Sequence, residues 1–195
     1  MLSFQPILSA LLAHPGHSPA NGFVAGLMHP LGGLDHLLAM VAVGLLAVRL
    51  RSTAPAALWV LPVAFVASLL AGGALALVVP SLPGIEFAIA GSVVLLGALL
   101  AVAWPIRLSM ALPLVAIAGA VHGHAHIAEL PAESGVAGYA LGMSLMTAIL
   151  HAAGIAAGLA AGRLPSWTAG RFPSGATVRV VGAGIAVVGI VLVLS

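Results

Sequence analysis

The sequence predicts an all-α, polytopic membrane protein: a six-transmembrane-helix bundle with a broken or kinked first helix. Three observations carry that expectation. The 195-residue chain is 62% hydrophobic and only 5% charged, whereas ordinary soluble domains are roughly a quarter charged. No soluble fold of this length hides so much apolar surface, so the solvent is lipid. Six stretches supply the about 20 apolar residues that a spanning helix needs, at residues 21–48, 55–79, 84–104, 106–128, 135–162 and 175–195. The first of them contains Pro30, Gly32 and Gly33; proline removes a backbone donor and glycine loosens a helix.

The breaks between the stretches are short and rich in turn residues. They read R-L-R-S-T-A-P, V-P-S-L-P-G, W-P-I-R, E-L-P-A-E-S-G and G-R-L-P-S-W-T-A-G-R-F-P-S-G. None is long enough to separate domains, so residues 21–195 form one transmembrane domain, preceded by a short outer segment over residues 1–20. Residues 1–13 are apolar like the core of a signal peptide but lack a positive flank. They are expected to be retained, and as a helix they would reach only roughly 20 Å, too short to span.

The few charges alternate by connection. Arg49 and Arg51 follow the first span, Glu86 the second, Arg107 the third, Glu129 and Glu133 the fourth, and Arg163 and Arg171 the fifth. Arg179 lies just inside the sixth. Positive residues favour the cytoplasmic side, so the first, third and fifth connections are expected inside and both termini outside.

Composition also excludes function classes. Six arginines, no lysine and four acids give a net charge of +2, with no basic face suited to nucleic acid. Cysteine is absent, which removes disulfides, thiolate ligands, iron–sulfur clusters and c-type haem attachment. A bound metal must then use nitrogen, oxygen or methionine sulfur.

Polar chemistry is confined to a few positions. Residues 29–40 read H-P-L-G-G-L-D-H-L-L-A-M. Ionisable groups at membrane depth are costly and mark ion or proton pathways. Imidazole and carboxylate together suit divalent transition metals. On a continuous helix His29 would lie roughly 10 Å and Asp35 and His36 roughly 20 Å below the outer boundary. His29 and His36 are seven residues apart and would share a face. His122 and His126 share a stripe with Glu129, while His124 lies between them near the outer mouth. In the fifth span Tyr139, Met143, Thr147 and His151 recur every fourth residue. His14 and His17 precede the first span. The histidines thus descend from the outer face toward the membrane centre. Gly154, Gly158 and Gly162 form a small-xxx-small series that lets helices approach closely. The bland alternatives are a histidine bonded to a neighbouring carbonyl, an Asp35 paired across the bundle, and methionines that only pack.

The polar residues also carry a resemblance. His29-Pro30, Gly33, Asp35-His36 and Met40 look like the H-P-x-x-G-x-D-H-x-x-x-M signature of the HupE/UreJ family. His122-Gly123-His124-Ala125-His126 followed by Glu129 is similar to that family's second histidine motif, and His151 through Gly154 fits as well. The resemblance runs from His14 to the end of the chain. It implies a small bacterial inner-membrane protein connected with hydrogenase or urease maturation and acting as a nickel or cobalt permease. Many members carry a cleaved signal peptide ending before a histidine; Met1–Ala13 departs from that pattern in having no basic residue.

The combined expectation is a permease, not an enzyme, that takes up Ni²⁺, with Co²⁺ the close second and Zn²⁺ another ion the ligands could bind. It has no prosthetic group, and a homo-oligomer is left open. His14, His17, His124, His126, Glu129 and Glu133 would capture the ion. His29, His36, His122 and Asp35 would form the transport site, with His151 at its inner edge. No P-loop is present to couple ATP. Two charges moving through about 150 mV release roughly 7 kcal/mol, which suffices for facilitated entry. Two alternatives use the same residues: a haem protein with His36 and His151 as axial ligands, and an intramembrane zinc-dependent enzyme, which would lack an H-E-x-x-H motif and a spare base.

Overall fold

The computed structural model describes residues 19–79, 82–102, 104–128, 130, 135–162 and 175–195. His14, His17, Glu129, Glu133, Arg163 and Arg171, together with the expected outer segment up to residue 18, lie outside the described residues. Those described form helices joined by turns: α1 Pro19–Gly32, α2 Leu34–Leu50, α3 Ala57–Ala76, α4 Ile85–Ala101, α5 Leu108–Ala128, α6 Val136–Ala161 and α7 Ala176–Leu194. Of these, α3, α5, α6 and α7 are each long and apolar enough to cross a membrane, and α1 with α2 form one more apolar pair. Helix α4 has 17 residues, the short end of the spanning range of about 17–25. The protein is an all-α membrane protein, and its apolar segments fall where the six expected spans lie.

The first span is broken, and the break is at Gly33. Helix α1 continues through Pro30 to Gly32, and α2 restarts at Leu34 after Gly33 in extended conformation. The two halves meet at 84°. Glycine is required there for space: a Cβ on Gly33 would come within 2.6 Å of both Asp35 Oδ1 and His36 Nδ1.

Lipid as solvent inverts the usual surface. Large apolar side chains point outward on several helices, among them Phe87 at 67% and Val180 at 69% exposure. The polar stripe of α6 is turned inward instead, with Tyr139, Met143, Thr147 and His151 all buried. Association in lipid depends on close van der Waals packing, and glycines provide it at four interfaces. Gly26 and Gly142 join α1 to α6, while Gly44 and Gly154 join α2 to α6. Gly72, Gly119 and Gly123 bring α3 against α5, and Gly97, Gly182 and Gly189 bring α4 against α7. In each case an added Cβ would strike the neighbouring helix.

The register of these contacts gives the chain directions. Phe65 and Leu69 meet Gly119 and Gly123, so α3 and α5 run parallel; Val41 and Val48 meet Gly154 and Gly158, so α2 and α6 do as well. Val94 and Leu100 meet Gly189 and Gly182, which makes α4 and α7 antiparallel. Spans that traverse a membrane alternately require these relations. At the opposite end from the histidines, Arg49 donates to the carbonyls of Leu99, Leu100, Val102 and Trp104. Arg179 donates to Ala101 O. The two arginines occupy the C-terminal end of α4, where helix carbonyls lack internal partners and favour cations.

Candidate metal centre

The bend at Gly33 places Asp35 in the first turn of α2, where a carboxylate is favoured by unpaired amides and the helix dipole. Asp35 Oδ1 accepts from the His36 backbone N–H at 2.8 Å and lies 2.5 Å from His36 Nδ1. The contact fixes Nδ1–H on His36 and leaves Nε2 as the lone pair. That nitrogen lies 2.5 Å from His126 Nε2, and His126 Nδ1 lies 3.0 Å from His29 Nε2. One directed chain of neutral rings satisfies all these contacts: His29 donates to His126, His126 to His36, and His36 to Asp35. A metal-binding histidine held by a carboxylate through its other nitrogen is a recurrent arrangement, because it fixes the ring and raises its basicity.

His29, His36 and His126 each offer one nitrogen within 4.8 Å of the others. They come from α1, α2 and α5 and line an open pocket of about 520 Å³ with Asp35, Ala125 and Glu86. The Tyr139 ring of α6 packs edge-on to His29, with centroids 5.6 Å apart. A trio of imidazoles with an oriented carboxylate suits a divalent transition metal, and no thiolate is available to favour softer ions.

His122 adjoins the trio without joining it. Its ring centroid is 5.0 Å from that of His36, and its Nε2 lies 2.9 Å from Ser92 Oγ on α4. The single proton of Ser92 is given to Ile89 O at 2.7 Å, so Ser92 accepts from His122 Nε2–H. The buried His122 Nδ1, which has no hydrogen-bond partner among the described residues, is then the bare lone pair.

The other expected ligands lie elsewhere. His124 turns away from the cluster, and its Nε2–H donates to Val79 O, just past the end of α3, at 2.8 Å. Two residues along a helix rotate a side chain by about 200°, so His124 cannot share the face of His122 and His126. His151 lies against Phe65, with centroids 5.1 Å apart. A haem ligated by His36 and His151 does not match this arrangement, since His36 Nε2 meets His126 and the Phe65 ring contacts both His122 and His151. His14, His17 and Glu129 lie outside the described residues.

The depth expectation needs correction. Asp35 shares a second pocket with Glu86, in the first turn of α4, and with Leu192 and Ser195 at the end of α7. Its side chain is 22% exposed. The cluster therefore sits at one end of the bundle, not at its middle, because the 84° bend stops depth accumulating along one helix axis. Sequence reasoning missed two residues of this neighbourhood. Ser92 and Glu86 follow a spacing of three with Ile89 on α4, and that register was the available signal.

The comparisons agree with the geometry. The profile of the HupE / UreJ protein family matches residues 2–192. Protein HupE of Rhizobium leguminosarum bv. viciae is 42% identical over 177 residues, covering 90% of this chain and 86% of that protein. No solved structure matches. With the signature residues of two spans meeting at one pocket, the chain belongs to the HupE/UreJ family.

Proposed function

We propose that this protein is a permease that admits Ni²⁺, with Co²⁺ as the nearest competitor, across the bacterial inner membrane. The observation that carries the reading is the convergence of His29, His36 and His126 on an open pocket, with Asp35 holding His36. A hydrated dication entering this pocket exchanges water for imidazole nitrogen, and Asp35 offsets part of its charge as its water is removed. His122, whose ring centroid lies 5.0 Å from that of His36, would take the ion next through its bare Nδ1. Glu86, exposed on the wall of the same pocket, adds negative charge at the entrance.

Energetically, the membrane potential alone drives a dication inward, at about 2.3 kcal/mol per charge per 100 mV. The reading therefore includes no coupled ion and no reaction chemistry. Both termini and the pocket face the periplasm in this scheme, following the alternation of Arg and Glu between connections. The outer segment over residues 1–20, with His14 and His17, and Glu129 beyond α5 would extend the capture surface. Supply of nickel to hydrogenase or urease maturation is the physiological context that the family membership suggests.

The test is Ni²⁺ uptake into proteoliposomes under an inside-negative potential, with Co²⁺, Zn²⁺ and Cu²⁺ as competitors. Uptake that rises with the potential and falls strongly in His126→Ala supports the reading. Potential-independent uptake, or full activity in His126→Ala, overturns it.

A further inference from the structure

Deeper in the bundle, one histidine is in a condition that the outer cluster does not explain. His151 is 1% exposed, and neither ring nitrogen has a hydrogen-bond partner among the described residues. Thr147, four residues earlier on the same face of α6, is fully buried, and its hydroxyl is also unpartnered. A buried polar group without a partner costs about 1–3 kcal/mol, and each such group in a native protein calls for an explanation, a bound water or ion among them. His151 and Thr147 thus put unsatisfied polar atoms one helical turn apart on the buried face of α6.

Its surroundings indicate what it binds. The stripe begins at Tyr139 beside His29 and continues through Met143 and Thr147 to His151, an axial distance of roughly 18 Å. It leads inward from the outer cluster. On the other side stands Phe65 of α3, whose ring centroid is 5.9 Å from that of His122 and 5.1 Å from that of His151. The remaining space beside His151 is a groove between α3 and α6 lined by Leu58, Trp59, Val63 and Ile155 among others. That groove supplies no ligand atom beyond His151 itself. The groove is otherwise apolar, so a metal ion finds further ligands on the histidine side and not there.

We propose that His151 and Thr147 form a second, inner station for the transported dication, separated from the outer cluster by the Phe65 ring. The proposal rests on the permease reading above. Neutral imidazole nitrogen with a hydroxyl oxygen is a donor set that divalent transition metals accept. Two stations in series also permit release: an ion arriving at the outer cluster displaces the inner one, as adjacent sites do in conduction pathways.

The experiment measures Ni²⁺ equivalents bound by the purified full chain in detergent, using equilibrium dialysis beside thermal unfolding of the metal-free protein. Wild type should bind two equivalents and His151→Phe one, with metal-free stability unchanged or raised because the replaced ring had no hydrogen bonds to lose. Thr147→Val, nearly isosteric, should weaken the inner equivalent several-fold and serves if His151→Phe does not fold. Potential-driven Ni²⁺ uptake should fall at least tenfold in His151→Phe. A single equivalent in wild type, or two retained in both variants, overturns the inner station and leaves a buried water only at His151. Loss of the outer equivalent is read separately in His126→Ala: if that variant still binds as wild type does, the outer-cluster reading fails whatever His151 does.

Discussion

At the open end of the bundle and at the middle of α6, histidines are held under opposite conditions. Around His126 the rings bond to one another and finally to Asp35, beside a pocket that water can enter. Around His151 the nitrogens and the Thr147 hydroxyl are buried with no partner among the described residues. The first arrangement is preorganised: its rings keep their orientation between visits of an ion, and incoming solvent can carry away the ion's hydration shell. The second is buried and unsatisfied by the protein, so an ion there would be bound by groups that bond to nothing else among the described residues. Capture and passage require these two conditions, in that order.

The strongest way to break the comparison is at Asp35. Asp35→Asn retains an oxygen that can accept from the His36 backbone and ring, while the negative charge disappears. If charge is what the outer cluster contributes, Ni²⁺ affinity and uptake should fall on the order of 10–100-fold, the usual effect of removing a partner behind a metal ligand. Thermal stability should stay near wild type. A variant that transports normally but unfolds at a lower temperature would make Asp35 a structural clamp for the bend. Next in size is the effect of pH. Imidazole binds metal only through an unprotonated nitrogen, so binding releases protons and weakens as they become abundant. Lowering the pH from 7.5 to 5.5 should reduce Ni²⁺ affinity on the order of tenfold, since the ordinary imidazole pKa lies between. Affinity unchanged over that interval would argue against histidine ligation.

The bundle that holds both regions can be tested at its tightest contact. Gly123 lies on the residue row between His122 and His124, and a Cβ there would collide with the backbone carbonyl of Leu69. Gly123→Ala should cost about 1–3 kcal/mol, the usual range for overpacking. It should also push α5, with His122 and His126, away from α3 and Phe65. Unfolding in detergent measures the cost, and an unchanged midpoint would mean that the α3–α5 contact is looser than its geometry.

How much of this was legible in the sequence follows from which forces act locally. Span positions follow from hydrophobic length, and the break in the first span from Pro30 and the glycine pair, although the chain breaks at Gly33 and passes helically through Pro30. The inward turn of the α6 stripe was readable because a period of four survives in any straight helix. Meetings between helices were not readable. Nothing local says that His122 will meet Ser92, that Glu86 will line the histidine pocket, or that an 84° bend will bring Asp35 level with the end of α7. His29 and His36 were expected together because seven residues make two turns; they meet at His126 although the helix between them is broken.

The smallest expected effect concerns His124, and it sharpens the distinction between histidines that bind metal and those that hold helices. Its motif position makes it look like an outer ligand, but its Nε2–H is committed to Val79 O. Removing it leaves that carbonyl to find another donor, at a cost of about 1 kcal/mol for a hydrogen bond of this kind. His124→Ala should therefore lower the unfolding midpoint slightly and leave Ni²⁺ stoichiometry and uptake unchanged. His124→Gln offers an amide N–H to the same carbonyl and should recover most of the loss. The two substitutions separate the roles because a metal ligand would not be rescued in the same way. Glutamine donates through its amide nitrogen, whereas a transition metal would lose an imidazole lone pair and gain only a weaker carbonyl oxygen. Uptake that drops in both variants would return His124 to the ligand set and require α5 to rotate when the ion arrives.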